Sequence, residues 1–173
     1  MNGFLLLMPF LLIRFLLLFI LNKEAIQRAA HFAPVQGNEK IAYYIYQILN
    51  IIMFIYLFFL SIKIDFSWVF YVGEICYVLG LCLCAISIVS FSSPNDTGMN
   101  KNGIYKISRN PMYVSYFVCF IGMALLTKSI MLLILVLIFQ ISAHWIIISE
   151  ERWCIEKFGT VYREYMKKVR RYF

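Results

Sequence analysis

The groups that could do chemistry are concentrated in two polar segments, 103–113 and 150–165, which are far apart in the chain. The first contains Arg109 shortly before a proline, and the second begins with the paired carboxylates Glu150 and Glu151. An arginine suits a carboxylate or a phosphate, and carboxylates suit a cation or an ammonium group. The aromatic residues between them suit a ring or a sulfonium. These residue types predict a site that positions charged molecules.

The residues around Pro111 predict how the first segment presents its polar groups. Proline fits the first turn of a helix, and its ring favours an extended Asn110 before it. Arg109 and Asn110 would then lie on a non-helical lead-in, where side chains and free backbone amides converge near the positive end of a helix. That geometry suits an anionic group.

The composition is typical of a membrane protein. Of the 173 residues, 62% are hydrophobic and 14% are charged, whereas a soluble domain is nearer half apolar and a quarter charged. We therefore predict an all-α integral membrane protein, a single domain over 1–173, with about five transmembrane helices and a C-terminal amphipathic helix at the membrane interface. The predicted spans are 4–21, 41–62, 67–91, 112–127 and 129–149.

Polar residues within the first and fifth predicted spans bear on the site. Arg14 is costly in lipid, so we expect it to face protein or to snorkel toward the headgroups, with a ligand contact as the alternative. Gln140 and His144 are followed by Glu151 at a spacing that puts all three on one helical face. Such residues usually bond to a neighbouring helix, but this line leads to the carboxylate pair. His144 is therefore a candidate cofactor-binding residue.

Other reactive residue types form no recognisable set. The five cysteines lack ligand-type spacing, so neither a disulfide framework nor a metal site is predicted. No serine has a partnered histidine, His31 reads as a solvated loop residue, and no Gly-rich phosphate loop is present. The net charge of +7 comes from basic residues beside apolar segments. This favours membrane lipids over nucleic acid as the partner.

The distribution of basic residues predicts the orientation. With five spans, segments 22–40 and 92–110 and the C-terminus lie on one side. They hold every Lys and Arg except Arg14, Lys63 and Lys128. The positive-inside rule places that side in the cytoplasm. We expect the N-terminus outside, the C-terminus inside, and both polar segments within reach of a soluble cosubstrate.

Together the two segments resemble a known family. The first reads Gly103-Ile-Tyr105-x-x-x-Arg109-Asn110-Pro111-Met112-Tyr113, and the second reads Glu150-Glu151 and then Phe158-Gly159-x-x-Tyr162-x-x-Tyr165. In this order, each at the end of a membrane helix, these motifs are similar to those of the isoprenylcysteine carboxyl methyltransferase and phospholipid methyltransferase superfamily. The resemblance covers about 99–168; upstream, only the pattern of apolar spans agrees.

The resemblance implies a membrane enzyme that transfers a methyl group from S-adenosylmethionine to a lipidic or lipid-linked acceptor. The cofactor would lie at the cytosolic face, in the C-terminal half, and a tunnel between helices would admit the acceptor. Arg109 would orient the acceptor at the reacting centre, and Glu150 and Glu151 would engage the methionyl or ribose end of the cofactor. The other implied cofactor contacts are Gly103, Tyr105, Asn110, Pro111 and Tyr113.

One position departs from the family pattern. The commonest motif has histidine where this chain has Asn110, and asparagine can hydrogen-bond but cannot carry a proton. We interpret Asn110 as a cofactor contact rather than a base. The favoured acceptor is a carboxylate, since it is ionised at neutral pH and Arg109 could fix it. An amine acceptor would instead need deprotonation, through Glu150 or Glu151.

Three alternatives stay open from the sequence. The acceptor could be a phospholipid amine. A sterol-reductase-like enzyme using NADPH has a similar C-terminal region, although such proteins are generally longer. A small non-catalytic membrane protein with a basic interfacial tail would be indifferent to changes at Arg109 and Glu150.

Overall fold

The computed structural model describes residues 1–30, 33–94 and 98–172, so the predicted loop residue His31 lies outside the described residues. Within these ranges the chain forms seven helices, with a short 3-10 turn, Gly103–Lys106, before the fifth. The helices are α1 (Gly3–Leu21), α2 (Lys23–Ala30), α3 (Glu39–Phe59), α4 (Trp68–Ser92), α5 (Pro111–Leu126), α6 (Ile130–Phe158) and α7 (Thr160–Lys168).

The prediction of an all-α, multi-pass membrane protein is confirmed. Four of the described helices, α1, α3, α4 and α6, are long and apolar enough to cross a membrane. The predicted fourth span corresponds to α5, which is apolar but has only 16 residues. At 1.5 Å per residue that is about 24 Å, short of a hydrocarbon core of about 30 Å.

Helix α6 extends further than the sequence pattern indicated. The predicted span ended at 149, with an amphipathic tail from Glu150, but the helix continues unbroken through both carboxylates to Phe158. The residues after Ser149 include good helix formers, and Gly159, with φ +58°, is the first helix breaker. The carboxylate pair therefore sits on a rigid helix end, and only α7 forms the separate amphipathic helix.

Close packing of α4 against α5 fixes the position of α5 along its own axis and its rotation about that axis, both relative to α4. Where these two helices meet, Gly80 faces the backbone of Cys119 and Gly122 faces the backbone of Tyr77. A Cβ atom at Gly80 would lie 2.4 Å from the Cys119 amide nitrogen, so even alanine would force the helices apart. Small residues allow such close approach in membranes. Because Pro111 starts α5, this contact also sets where the polar lead-in before it lies.

Helix α1 contacts α5 through side chains and contains a local irregularity. Residues Leu12–Leu17 form a π-helical turn, which widens the helix around Arg14. The Phe10 ring contacts the rings of Tyr116 and Phe120 at centroid distances of 5.3 and 5.1 Å. The Arg14 guanidinium lies over the Tyr116 ring, 5.5 Å from its centroid. Arg14 therefore faces protein, as the sequence predicted.

Candidate active site

The lead-in to α5 is held by the C-terminal residues that follow α7. Ser108 and Arg170 form an isolated parallel bridge, and the Arg109 amide donates to the Arg170 carbonyl at 3.0 Å. Asn110 is non-helical, with φ −130° and ψ 53°, and Pro111 begins the helix. The predicted helix start at Pro111 and the non-helical lead-in are present, but Asn110 is not extended as the sequence predicted. The bridge to the C-terminus brings residues about 60 positions apart into contact.

Glu151 is the centre of a charged cluster that joins the two polar segments. Its Oε1 accepts from Nε and Nη2 of Arg109 at 3.0 and 2.8 Å, and its Oε2 accepts from Nε and Nη2 of Arg171 at 3.1 and 2.8 Å. Asn110 Nδ2 donates to the same carboxylate at 3.3 Å and to the Arg171 carbonyl at 3.2 Å. Glu151 is only 3% exposed. Each arginine thus donates two hydrogen bonds to one oxygen of the buried carboxylate, and such charge-assisted bonds fix geometry as well as charge.

Arg109 uses its remaining donors on the chain itself. Its Nη1 donates to the carbonyl oxygens of Val169 and Met166 at 2.6 and 3.2 Å. The hydrogen bonds that the Arg171 guanidinium donates to Glu151 raise the pKa of Arg171, which therefore stays charged across the physiological range. Arg109 thus ties the end of α6 to the C-terminal residues, with its guanidinium directed to protein partners.

Glu150 points in a different direction from its neighbour. Successive residues on an α-helix project about 100° apart, so the two carboxylates cannot share one set of contacts. Glu150 Oε1 accepts a 2.8 Å hydrogen bond from the Tyr113 hydroxyl on α5. Glu150 and Tyr113 both line a cavity, and Glu150 is partly rather than fully buried. The pair therefore offers an oriented carboxylate to a ligand.

The cavity lies at the end of the helical bundle that carries Arg109 and the carboxylate pair, and it has a volume of about 750 Å³. This size falls within the range typical of small-molecule sites. Its wall combines charged side chains with a ring of tyrosines. The lining residues include Arg14, Arg28, Asn100, Tyr116 and Glu150.

Six of the nine candidate residues predicted from the sequence line this cavity. They are Tyr105, Arg109, Asn110, Tyr113, Glu150 and Glu151. The other three, although all described, do not line it. Gly103, with φ +56°, packs against Ser90, and Pro111 is buried in the first turn of α5. The cofactor-binding role of these three stays a prediction.

His144 contacts the C-terminus instead of the cavity. Its Nδ1 lies 2.6 Å from the Tyr172 hydroxyl. The predicted face shared by His144 and Glu151 is present on α6, but it is directed at the C-terminal residues, where Arg171 and Tyr172 follow each other. The spacing of His144 and Glu151 in the sequence predicted that they share a helical face, but it did not predict which residues that face contacts.

Tyrosines close the side of the cavity next to the 3-10 turn. The Tyr165 hydroxyl donates to the Tyr105 carbonyl at 2.5 Å. Burial raises the pKa of both phenols, so they remain neutral hydrogen-bond donors. Tyr105 belongs to the first motif and Tyr165 to the second, and the structure brings them together in one wall of the cavity.

Several wall residues have no signal in the motifs. Arg14 and Tyr46 come from α1 and α3, and Arg28 and Asn100 come from α2 and the segment before the 3-10 turn. Among these, Arg14 alone had a sequence signal, as a charge inside an apolar run. The others are ordinary interface residues in sequence, and only tertiary packing places them at the site.

One comparison with known proteins bears on this geometry. Residues 88–161 match the model of the phospholipid methyltransferase family. The matched family belongs to the superfamily of isoprenylcysteine carboxyl and phospholipid methyltransferases. The resemblance drawn from the motifs is thereby confirmed.

The methyltransferase segment runs from the end of α4 to the start of α7 and covers a little under half of the chain. It includes the lead-in to α5 and the carboxylate pair of α6, the two parts that meet at the cavity. No curated protein and no solved structure matches the chain. The family match supports methyl transfer in a membrane setting and leaves the acceptor open.

Proposed function

We propose that the chain transfers a methyl group from S-adenosylmethionine to a lipidic or lipid-linked acceptor in this cavity, at the cytosolic face of the membrane. The observation that carries the proposal is the meeting of the two family segments: the end of α6 and the lead-in to α5 share one cavity wall with Glu150 and Tyr113. The basic residues at this end of the bundle support the cytosolic orientation.

The residues of the cavity fit a cofactor with both amino and acidic groups. Arg28 Nε and Asn100 Oδ1 line the cavity, are buried, and have no hydrogen-bond partner among the described residues. Unpartnered buried polar atoms are costly, so a ligand that accepts from one and donates to the other would relieve them. Glu150 supplies a negative charge for an ammonium or sulfonium group.

S-adenosylmethionine supplies an electrophilic methyl group on a positively charged sulfur. The chain then has to bind, orient and exclude water, because group transfer of this kind depends mainly on positioning. Glu150, oriented by the Tyr113 hydroxyl, faces the reacting space. Arg109, Glu151 and Asn110 act as positioning residues, since their polar atoms are engaged with one another and with the C-terminus.

Ligand-induced stabilisation tests the proposal. In detergent, S-adenosylmethionine or its demethylated product should raise the melting temperature, and NADPH should leave it unchanged. Stabilisation by NADPH instead would favour the reductase alternative, and no shift with any of the three would favour a non-catalytic protein. Incubation of membranes with methyl-labelled cofactor should give a labelled lipid.

Glu150→Gln tests the role of the cavity carboxylate. The amide oxygen of glutamine can still accept the hydrogen bond from the Tyr113 hydroxyl, so the protein should still fold. The affinity for the cofactor or the rate of methyl transfer should fall at least tenfold, as expected for loss of an interaction worth about 1.4 kcal/mol or more. Glu164→Gln is the matched control, because Glu164 is exposed on α7. Equal activity in the two variants would remove Glu150 from the site.

A further inference from the structure

Among the charged residues of the cavity wall, Glu150 and Arg14 have opposite charges and come from different helices. Glu150 comes from α6 and accepts from Tyr113, and Arg14 comes from α1. Among the described residues, Arg14 forms no ion pair with a carboxylate; its guanidinium contacts the rings of Phe15 and Tyr116 at 5.8 and 5.5 Å. An arginine in the cavity wall that has no carboxylate partner among the described residues suits a ligand that carries an anionic group.

Arg14 lies well inside the membrane-spanning helix. It precedes Leu21, the last residue of α1, by two helical turns, which corresponds to about 10 Å of depth. Instead of reaching back to that end, the guanidinium bends onto Tyr116 in the cavity wall. Arginine at such a depth is costly unless it has a partner, and an intramembrane charge is a mark of a functional site.

The backbone around Arg14 is also unusual. The π-helical turn Leu12–Leu17 is confined to this part of α1, and the helix is α-helical on both sides of it. Such turns add a residue to one helical turn, change which side chain faces inward, and are frequent at functional sites. Here the turn holds the one arginine of α1 toward the cavity.

We infer that Arg14 is a specificity-determining residue that holds the anionic group, a phosphate or a carboxylate, of the lipidic acceptor; this inference rests on the function proposed above. The lipidic source is favoured over the cofactor because Arg14 sits deep on a lipid-contacting helix. The unpartnered polar atoms of Arg28 and Asn100 belong to a different part of the wall, formed by α2 and the segment before the 3-10 turn.

The two kinds of acceptor make different use of the two charges. If the anion is the attacking carboxylate, Arg14 holds the nucleophile itself and no proton is moved. If the anion is the phosphate of an aminophospholipid, the ammonium nitrogen first gives its proton to the Glu150 carboxylate. In either case the acceptor's lone pair forms the bond to the methyl carbon, the carbon–sulfur bond breaks, and its electron pair stays on sulfur as a neutral thioether.

Binding of simple amphiphiles tests the inference without turnover. Dodecyl phosphate and dodecanoate should stabilise the detergent-solubilised protein against heat, and dodecanol should do so less. In Arg14→Leu the half-saturating concentration of the anions should rise about tenfold or more, as expected for loss of a charge-assisted hydrogen bond. Arg14→Lys should recover part of the effect. Arg163→Leu, on the exposed face of α7, controls for binding to the basic surface.

Stabilisation by S-adenosylmethionine separates this inference from the proposed function. S-adenosylmethionine should raise the melting temperature of the Arg14→Leu variant by as much as it raises that of the unchanged protein. Loss of that stabilisation would assign Arg14 to the cofactor's carboxylate, and unchanged anion binding in Arg14→Leu would place the lipid anion elsewhere; either result overturns the inference. A protein that responds to the anions through Arg14 and not to the cofactor would overturn the proposed function alone.

Transfer in vesicles then distinguishes the two acceptors. We expect labelled methyl groups to enter phosphatidylcholine vesicles doped with either phosphatidylethanolamine or oleic acid, and the Arg14→Leu variant to lose transfer to that acceptor. The dopant that becomes labelled identifies the acceptor: phosphatidylethanolamine for the amine and oleic acid for the carboxylate. Full transfer by Arg14→Leu at low acceptor concentration would contradict the role of Arg14.

Discussion

The two ends of the helical bundle are held together in different ways. At the site end, side-chain charges join distant segments: Glu151 binds Arg109 and Arg171, and Arg152 at the end of α6 forms a bidentate pair with Glu39 at the start of α3, with both N–O distances 2.7 Å. Each of these contacts depends on a particular side chain.

The opposite end is held mainly by backbone hydrogen bonds. The Gly3 amide donates to the Leu60 carbonyl at 2.7 Å, the Ile62 amide to Met1 at 2.8 Å, and the Lys63 amide to Leu126 at 2.9 Å. These bonds end α3 at Phe59, earlier than the predicted 62, because Leu60 adopts an extended conformation to make them. The described residues at this end include one ion pair, between the exposed side chains of Asp65 and Lys128.

The comparison shows where sequence changes should matter. A backbone hydrogen bond persists when the side chain changes, whereas loss of a buried carboxylate between two arginines leaves both guanidinium groups without a charged partner. The site end therefore combines the cavity with the contacts most sensitive to mutation. The opposite end should tolerate substitution of its charges.

The largest effect is expected from Glu151→Ala. Arg109 is almost fully buried, with 8% of its side chain exposed, and loss of its partner should cost about 3–5 kcal/mol. Thermal denaturation in detergent should show a large fall in melting temperature, and protease should cut the C-terminal residues faster. Glu156→Ala, an exposed position on the same helix, should leave both unchanged. Equal behaviour of the two variants would contradict the central role of Glu151.

A smaller effect at the same end is expected from Tyr172→Phe. This change removes the hydroxyl that lies 2.6 Å from His144 Nδ1 and leaves the charged cluster intact. The loss of one hydrogen bond should cost about 1 kcal/mol, seen as a modest fall in melting temperature and faster carboxypeptidase digestion. Tyr71→Phe, at an exposed position of α4, is the control. A fall as large as that of Glu151→Ala would show that the C-terminal residues are held mainly by Tyr172.

The smallest effect is expected at the opposite end, from Asp65→Asn. The hydrogen bond from Lys128, and then that from Ser67, lower the pKa of Asp65 to about 2. A carboxyl whose pKa is lower in the folded state stabilises it above the ordinary value of 3.8 and loses that contribution as the pH falls toward 2. Because Asp65 is exposed, we expect no resolvable change in melting temperature at neutral pH. A fall larger than that of Tyr172→Phe would contradict the proposed difference between the ends.

The sequence by itself determined the class of protein, the helix start at Pro111 and the resemblance to the methyltransferase family. These features are local, because helix periodicity, proline and glycine act within a few residues, and apolar composition alone indicates a membrane environment. The pairing of the two polar segments also followed from the sequence, through the motifs of the family.

Only the tertiary structure decided which carboxylate faces the cavity. The neighbours Glu150 and Glu151 are chemically identical, and their roles differ because α5 lies on one side of α6 and the C-terminal residues lie on the other. The same reason applies to Arg14: a charge inside an apolar helix is visible in the sequence, but its direction depends on a π-helical turn and on the Tyr116 ring of another helix. Long-range packing sets these directions, and no local pattern encodes it.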